Sequence, residues 1–133
     1  MSQESVELVR SAYEAYNRRD VEGVLGRFDP DIDWHVPDSL AWGAHVRGLE
    51  AIGKFFEGLR PYMGEDHRVE IGQLIDGGDR VVAIVRHQGT APGGERYDVP
   101  SIMVWTAAGG KLTALYEQLD TLAMARATEG APA

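Results

Sequence analysis

The stretch HRVEIGQLIDGGDRVVAIVRHQGT, residues 67–90, decides the fold class. Apolar residues recur at every second position on both sides of Asp76-Gly77-Gly78-Asp79, and that alternation belongs to strands. A glycine pair between two such runs signals a hairpin, because glycine takes a positive φ without strain. The pattern repeats downstream, where ERYDVPSIMVWT and KLTALYEQLD flank residues 107–110. Ala91-Pro92-Gly93-Gly94 joins the two hairpins, so four antiparallel strands are predicted.

Upstream, the period changes to that of helices. Val6, Val9, Tyr13 and Tyr16, flanked by Leu8, Ala12 and Ala15, predict a helix over 5–18. Asp20 reads as the N-cap of a short second helix, with Glu22 in its first turn and Val21, Val24, Leu25 and Phe28 facing inward. Asp29-Pro30 ends that helix, and DIDWHVP follows as a brief strand stopped by Pro37. Residues 38–48 read as a loop holding Trp42 and His45. Ile52, Phe55, Phe56 and Leu59 mark a third helix, ended by Pro61.

Helices gathered before strands predict a single α+β domain over residues 1–133, with 126–133 as a frayed tail. The expected architecture is a cone-shaped, curved, mixed or antiparallel sheet wrapped over three N-terminal helices around an internal cavity.

A formal charge of −8 with no lysine or arginine cluster argues against nucleic acid and anionic membranes as partners. Cysteine is absent, which removes disulfide and thiol chemistry. MSQESVELVR lacks a basic start and an apolar stretch, and no apolar run reaches membrane-spanning length; a cytoplasmic location is the expectation. His35, His45, His67 and His87 have no recognised ligand spacing, and no phosphate-binding loop or nucleophile elbow is present. No metal and no cofactor are expected.

YEAYNRRDVEGVLGRFDPDIDWHVP, GLEAIGKFFEGL, DGGDRVVAIVRHQGT and GGKLTALYEQLD, in that order, resemble the SnoaL-like branch of the nuclear transport factor 2-like superfamily, a cystatin-like fold. The resemblance runs from about Val6 to Asp120. It implies the cone fold and leaves the activity open, since this superfamily includes isomerases, cyclases, dehydratases, epoxide hydrolases and binding modules. The steroid isomerases of the superfamily use a tyrosine and two aspartates; matched through Asp20, Pro37 and Gly110, those positions are Ala12, Val36 and Ile102 here. That mechanism is therefore excluded. The limonene epoxide hydrolase pattern matches at Arg86 and Glu117, but Gln88 replaces an acid, and Trp34 and Val36 replace the water-holding pair. Hydrolysis is disfavoured accordingly.

Glu117 is the sharpest single candidate. If Leu115 and Leu119 face the core, alternation carries Glu117 inward with them. A buried carboxylate is costly unless it has a partner or a purpose. Arg86 is the partner expected, on a face shared with Val82, Ile84 and Gln88, where it would stabilise developing negative charge. Asp98, on the face of Pro100, Ile102 and Val104, reads as either a second inward acid or a strand start. Trp34 lines the wall beside Ile32 and Val36, and Trp42 lies in a loop near the cavity mouth. Tyr13 and Tyr16 read as core, and His87 as outward or at an interface.

Glu117 and Arg86 are thus the expected catalytic pair, with Trp34, Asp98, Gln88, Val36, Ile102 and Trp42 as substrate contacts. A cofactor-free isomerase, cyclase or dehydratase acting by proton transfer on a small, mostly apolar molecule fits this inventory. The alternative is a non-catalytic ligand-binding or assembly module. In either case a homodimer is expected through the outer sheet face, with Val99, Met103 and Trp105 as its apolar residues.

Overall fold

A computed structural model describes residues 2–129. Two helices come first, α1 (Ser2–Asn17) and α2 (Val21–Gly26), then strands β1 (Phe28–Val36) and β2 (Ala44–Arg47), then α3 (Leu49–Met63). Four long strands follow, β3 (Arg68–Asp76), β4 (Arg80–Thr90), β5 (Arg96–Ala108) and β6 (Lys111–Leu119), and α4 (Thr121–Thr128) closes the described chain. The sheet order is β2-β1-β6-β5-β4-β3. Every pairing is antiparallel except β1 with β6. The sheet is curved and unclosed, α1 packs on β3, and α3 lies over β1 and β2.

The predicted elements form, with differences at their ends. Asp20 caps α2 by accepting a hydrogen bond from the Gly23 amide. That helix stops at Gly26, so Phe28, Asp29 and Pro30 belong to β1. Pro30 is tolerated there because pairing with β6 is irregular between Phe28 and Asp33. Part of the expected loop forms β2, which places His45 on a strand opposite His35. Pro61 does not end α3, which runs on to Met63; the carbonyl it leaves unbonded is that of Glu57, an exposed residue.

Gly64 ends α3 at φ +82, and a β-carbon there would meet the Thr90 carbonyl oxygen at 2.0 Å. Only glycine permits that approach. Tyr97 supports the same corner by donating to the Met63 carbonyl at 2.5 Å. Of the segment expected to fray, residues 126–128 belong to α4, and residues 130–133 lie outside the described residues. Met124 and Thr128 of α4 are buried, and Trp42 Nε1 donates to Thr128 Oγ1 at 3.5 Å. Among the described residues, no helix is long and apolar enough to cross a membrane.

Strand facing departs from expectation on two strands. On β4 the buried residues are Val81, Ala83, Val85 and His87; on β5 they are Tyr97, Val99, Ser101, Met103, Trp105 and Ala107. Arg86, Gln88, Asp98 and Ile102 therefore lie on the outer face. Val99, Met103 and Trp105, expected outside, are core.

The cause is a bulge in the hairpin joining β5 to β6. Gly109 and Gly110, at φ +60 and +78, form a two-residue turn that pairs Ala108 with Lys111 and Ala107 with Leu112. Beyond a register shift, Thr106 pairs with Ala114, so Thr113 is the extra residue. A one-residue slip moves every later side chain to the opposite face. Glu117 consequently pairs with Met103, not Ile102, and both point inward.

Candidate active site

Glu117 is 3% exposed, between the buried Leu115 and the half-buried Leu119. Its partner is not Arg86. His87 Nε2 lies 2.7 Å from Glu117 Oε2, and the Ser101 hydroxyl donates to the same oxygen at 2.7 Å. Three neighbouring strands supply this cluster, with Ser101 on β5 between His87 on β4 and Glu117 on β6. Oε1 of Glu117 makes no hydrogen bond among the described residues, and Glu117 forms part of a cavity wall.

The chain of contacts continues from His87. Its Nδ1 lies 2.9 Å from His67 Nε2, with the two rings inclined by only 21°. His67 Nδ1 lies 2.6 Å from the Tyr16 hydroxyl oxygen. Tyr16, His67, His87 and Glu117 are thus joined in series, and all four line one cavity. The cavity holds about 60 Å³ and is otherwise mostly aromatic and aliphatic, with Trp34, Trp42, Phe55, Phe56, Met103 and Trp105 in its wall.

The proton positions follow from charge and burial. A carboxylate offers only lone pairs, so with Glu117 as a carboxylate His87 Nε2 carries the proton between them. Burial, then His87 and then Arg19 push the His67 pKa well below its ordinary value, which keeps that ring neutral. Burial likewise pushes the Tyr16 phenol up to about 12, against the opposing pull of Arg19 and Arg60.

Two arrangements remain. In one, Tyr16 donates to His67 Nδ1, and His67 Nε2–H donates to a neutral His87. In the other, His87 carries both protons and donates through Nδ1 to His67 Nε2; His67 Nδ1–H then donates to the Tyr16 oxygen, and the phenol hydrogen is free for the cavity. The second holds one proton more than the first: His67 Nε2 passes its proton to His87 and Tyr16 passes its own to His67 along bonds that already exist, and the Tyr16 oxygen takes up a new proton from the cavity.

Two further polar groups lie in the wall. Trp105 Nε1 donates to the Tyr13 hydroxyl at 2.9 Å, and that hydroxyl donates to Met103 Sδ at 2.9 Å. Both Tyr13 bonds are internal. Trp34 differs, because its buried Nε1 has no hydrogen-bond partner among the described residues. An unmade bond of that kind costs about 1–3 kcal/mol. A ligand acceptor would recover it.

The expected site residues therefore divide. Glu117, Trp34 and Trp42 line the cavity, whereas Val36 is buried in the core outside its lining. Arg86 and Asp98 pair with each other on the outer face at 2.5 Å, with side chains 45% and 53% exposed. Gln88 approaches the same Asp98 at 3.5 Å, and Ile102 is 48% exposed. Sequence reasoning missed Tyr16, His67, His87 and Ser101 as functional candidates. Alternation with the apolar Val69 and Val85 was the available signal for His67 and His87, but the opposite face of β4 is apolar too. Among the described residues, no three histidine, aspartate or glutamate side chains converge as a metal centre would need; His67, His87 and Glu117 are bonded in series instead.

The SnoaL-like domain family matches residues 9–115, which include α3, most of the sheet and three of the four chain-forming positions named above. The protein belongs to that family. The fold of this SnoaL-like protein is similar to those of several solved structures. A nuclear transport factor 2-like protein of unknown function from Burkholderia pseudomallei superposes with a TM-score of 0.88 at 27% identity, covering 94% of this chain and 97% of that one. A protein from a soil-derived mobile gene cassette gives 0.87 at 26% identity, over 96% and 98% of the two chains. TerC, co-crystallised with polyporic acid, gives 0.86 at 26% identity, over 95% and 98%. No curated protein sequence matches this chain.

Proposed function

We propose that this SnoaL-like protein is a cofactor-free enzyme that moves a proton on a small, mostly apolar molecule held in the cone. The observation that carries this reading is the buried series from Tyr16 through His67 and His87 to Glu117, whose members all line the same cavity. Glu117 Oε1 acts as the base. A substrate C–H bond breaks, an O–H bond forms on Glu117, and the electron pair stays on the substrate, delocalised onto an oxygen. Doubly protonated His87 offsets the charge on the ionised carboxylate. The freed Tyr16 hydroxyl and the unpartnered Trp34 N–H supply donors for the substrate oxygen. Returning the proton to a different carbon isomerises the substrate; attack of the carbanion on a carbonyl carbon of the same molecule forms a C–C bond, breaks the carbonyl π bond, and cyclises it as Glu117 returns the proton to the new alkoxide. That TerC was crystallised with polyporic acid supports a small organic ligand for this fold.

The test is deuterium wash-in from solvent, followed by NMR over a panel of small cyclic ketones and enones. Glu117→Gln is expected to slow exchange about a hundredfold, and Tyr16→Phe about tenfold. Equal exchange in wild type and Glu117→Gln would remove the proposed base and leave a binding module.

The outer face supports a homodimer as a second reading. Ile84 and Ile102 pair across β4 and β5, Tyr116 lies on the neighbouring strand, and these side chains are 38%, 48% and 46% exposed. An apolar band of this kind is a candidate contact between two copies. Sedimentation should report a dimer that Ile102→Glu converts to monomer. A monomeric wild type would end this reading.

A further inference from the structure

A second small cavity, also of about 60 Å³, adjoins the first. The two share Tyr16, Phe56, Leu59, Met63 and His67 as walls. What the second adds, besides Val21 and Gly64, is the charge of Arg19, Arg60 and Glu65, whereas the first contains no lysine or arginine.

Arg19 is held in a particular way. It is the only described non-glycine residue with a positive φ, at +68. Its Nη1 donates to the His67 carbonyl oxygen at 2.6 Å, which fixes the guanidinium beside the relay. Glycine would suit that backbone better, so the arginine sits there against local strain. The Arg60 guanidinium, in the last turn of α3, has no ion-pair or hydrogen-bond partner among the described residues. Both guanidinium groups pull the Tyr16 phenol in the direction of ionisation, as charges close to its oxygen would.

Resting on the reading of the first cavity as the substrate site, we propose that the two cavities form one elongated site for a small apolar carboxylic acid. Its carbon body lies among the aromatic side chains, and its carboxylate lies between Arg19 and Arg60. Two guanidinium groups offset by Glu65 leave about one net positive charge, which suits a monoanion better than a phosphate dianion. Each cavity alone is smaller than the roughly 150 Å³ that holds benzene in an engineered core. The shared side chains of Phe56 and Met63 must therefore turn aside as the ligand enters.

The experiment compares 4-phenylbutyrate with 4-phenylbutanamide, which match in shape and differ in charge. Binding is read from fluorescence of Trp34, Trp42 and Trp105, all of which line the first cavity. Wild type is expected to bind the acid about tenfold more tightly than the amide. In the double variant Arg19→Gly, Arg60→Gln the preference should shrink to about twofold or less, with acid affinity falling much more than amide affinity. The glycine suits φ +68 and the glutamine is exposed on α3, so this variant folds. An acid preference that is absent in wild type, or that survives in the double variant, overturns the anion site while amide binding still supports the apolar cavity. Binding of neither probe overturns both. Glu117→Gln should keep the acid preference, which separates this proposal from the fate of the proposed base.

Discussion

His87→Leu is expected to lower the unfolding free energy by about 3–5 kcal/mol at pH 7, and adding Glu117→Leu to restore a large part of that loss. His87 and Glu117 are 4% and 3% exposed, and their contact at 2.7 Å is the main compensation for burying the carboxylate. With leucine at 87, Glu117 keeps only the Ser101 hydroxyl. Burying a charge with too few partners costs far more than the pair contributes net. Removing both partners leaves an apolar contact, which cores accept readily. Recovery should be incomplete, because His67 Nε2 loses its partner in either background. Urea unfolding of wild type, both single variants and the double variant measures the coupling. Strictly additive losses would mean that the two side chains are adjacent without supporting each other.

Acidification should destabilise the protein through His67, beginning near pH 6.5. The pKa of this histidine in the folded state lies well below the ordinary value of about 6.5, chiefly because burial disfavours the imidazolium. Below pH 6.5 the unfolded chain therefore takes up a proton that the folded chain refuses. The unfolded state then binds more protons, so stability rises with pH and falls as pH drops. The contribution is complete above the unfolded value. It is lost as pH falls towards the depressed folded value, with a slope approaching about 1.4 kcal/mol per pH unit. His67→Gln keeps donor and acceptor atoms but does not titrate. Other groups contribute to both proteins, so the difference between their curves isolates His67. Parallel stability curves from pH 7 to 5 would show that His67 gains its proton equally in both states.

The proposed chemistry and this pH dependence share one cause. His67, His87 and Glu117 are buried on the inner face of the sheet, and the same burial that strengthens their hydrogen bonds makes a charge on His67 costly.

Local signals were sufficient for the order of α1 to α3, β1 and β3 to β6, but not for β2 or α4. Two glycine turns and period-two runs define β3 to β6, and apolar spacing at three and four residues defines α1 and α3. Asp20 marks a cap because its short side chain reaches an amide three residues on. The inward position of Glu117 was also legible, since Leu115 and Leu119 flank it on a strand with a polar opposite face. On β4 and β5 both faces are apolar: Val81, Ala83 and Val85 against Val82 and Ile84, and Val99, Met103 and Trp105 against Ile102 and Val104. Periodicity cannot orient such strands.

The sequence by itself determined three helices, five of the six strands and their order, and one buried carboxylate, because each depends on residues a few positions apart; β2 and α4 it left as loop and tail. Only the tertiary structure decided what that carboxylate touches. Thr113 bulges from β6, which turns Met103 inward opposite Glu117, and the continuous pairing of β4 with β5 then brings Ala83, Val85 and His87 to the same face. His67 arrives from the turn before β3 and Tyr16 from α1, 51 residues apart in the chain. Register is a property of paired strands, and contact between distant segments is a property of packing; neither is written in any one stretch.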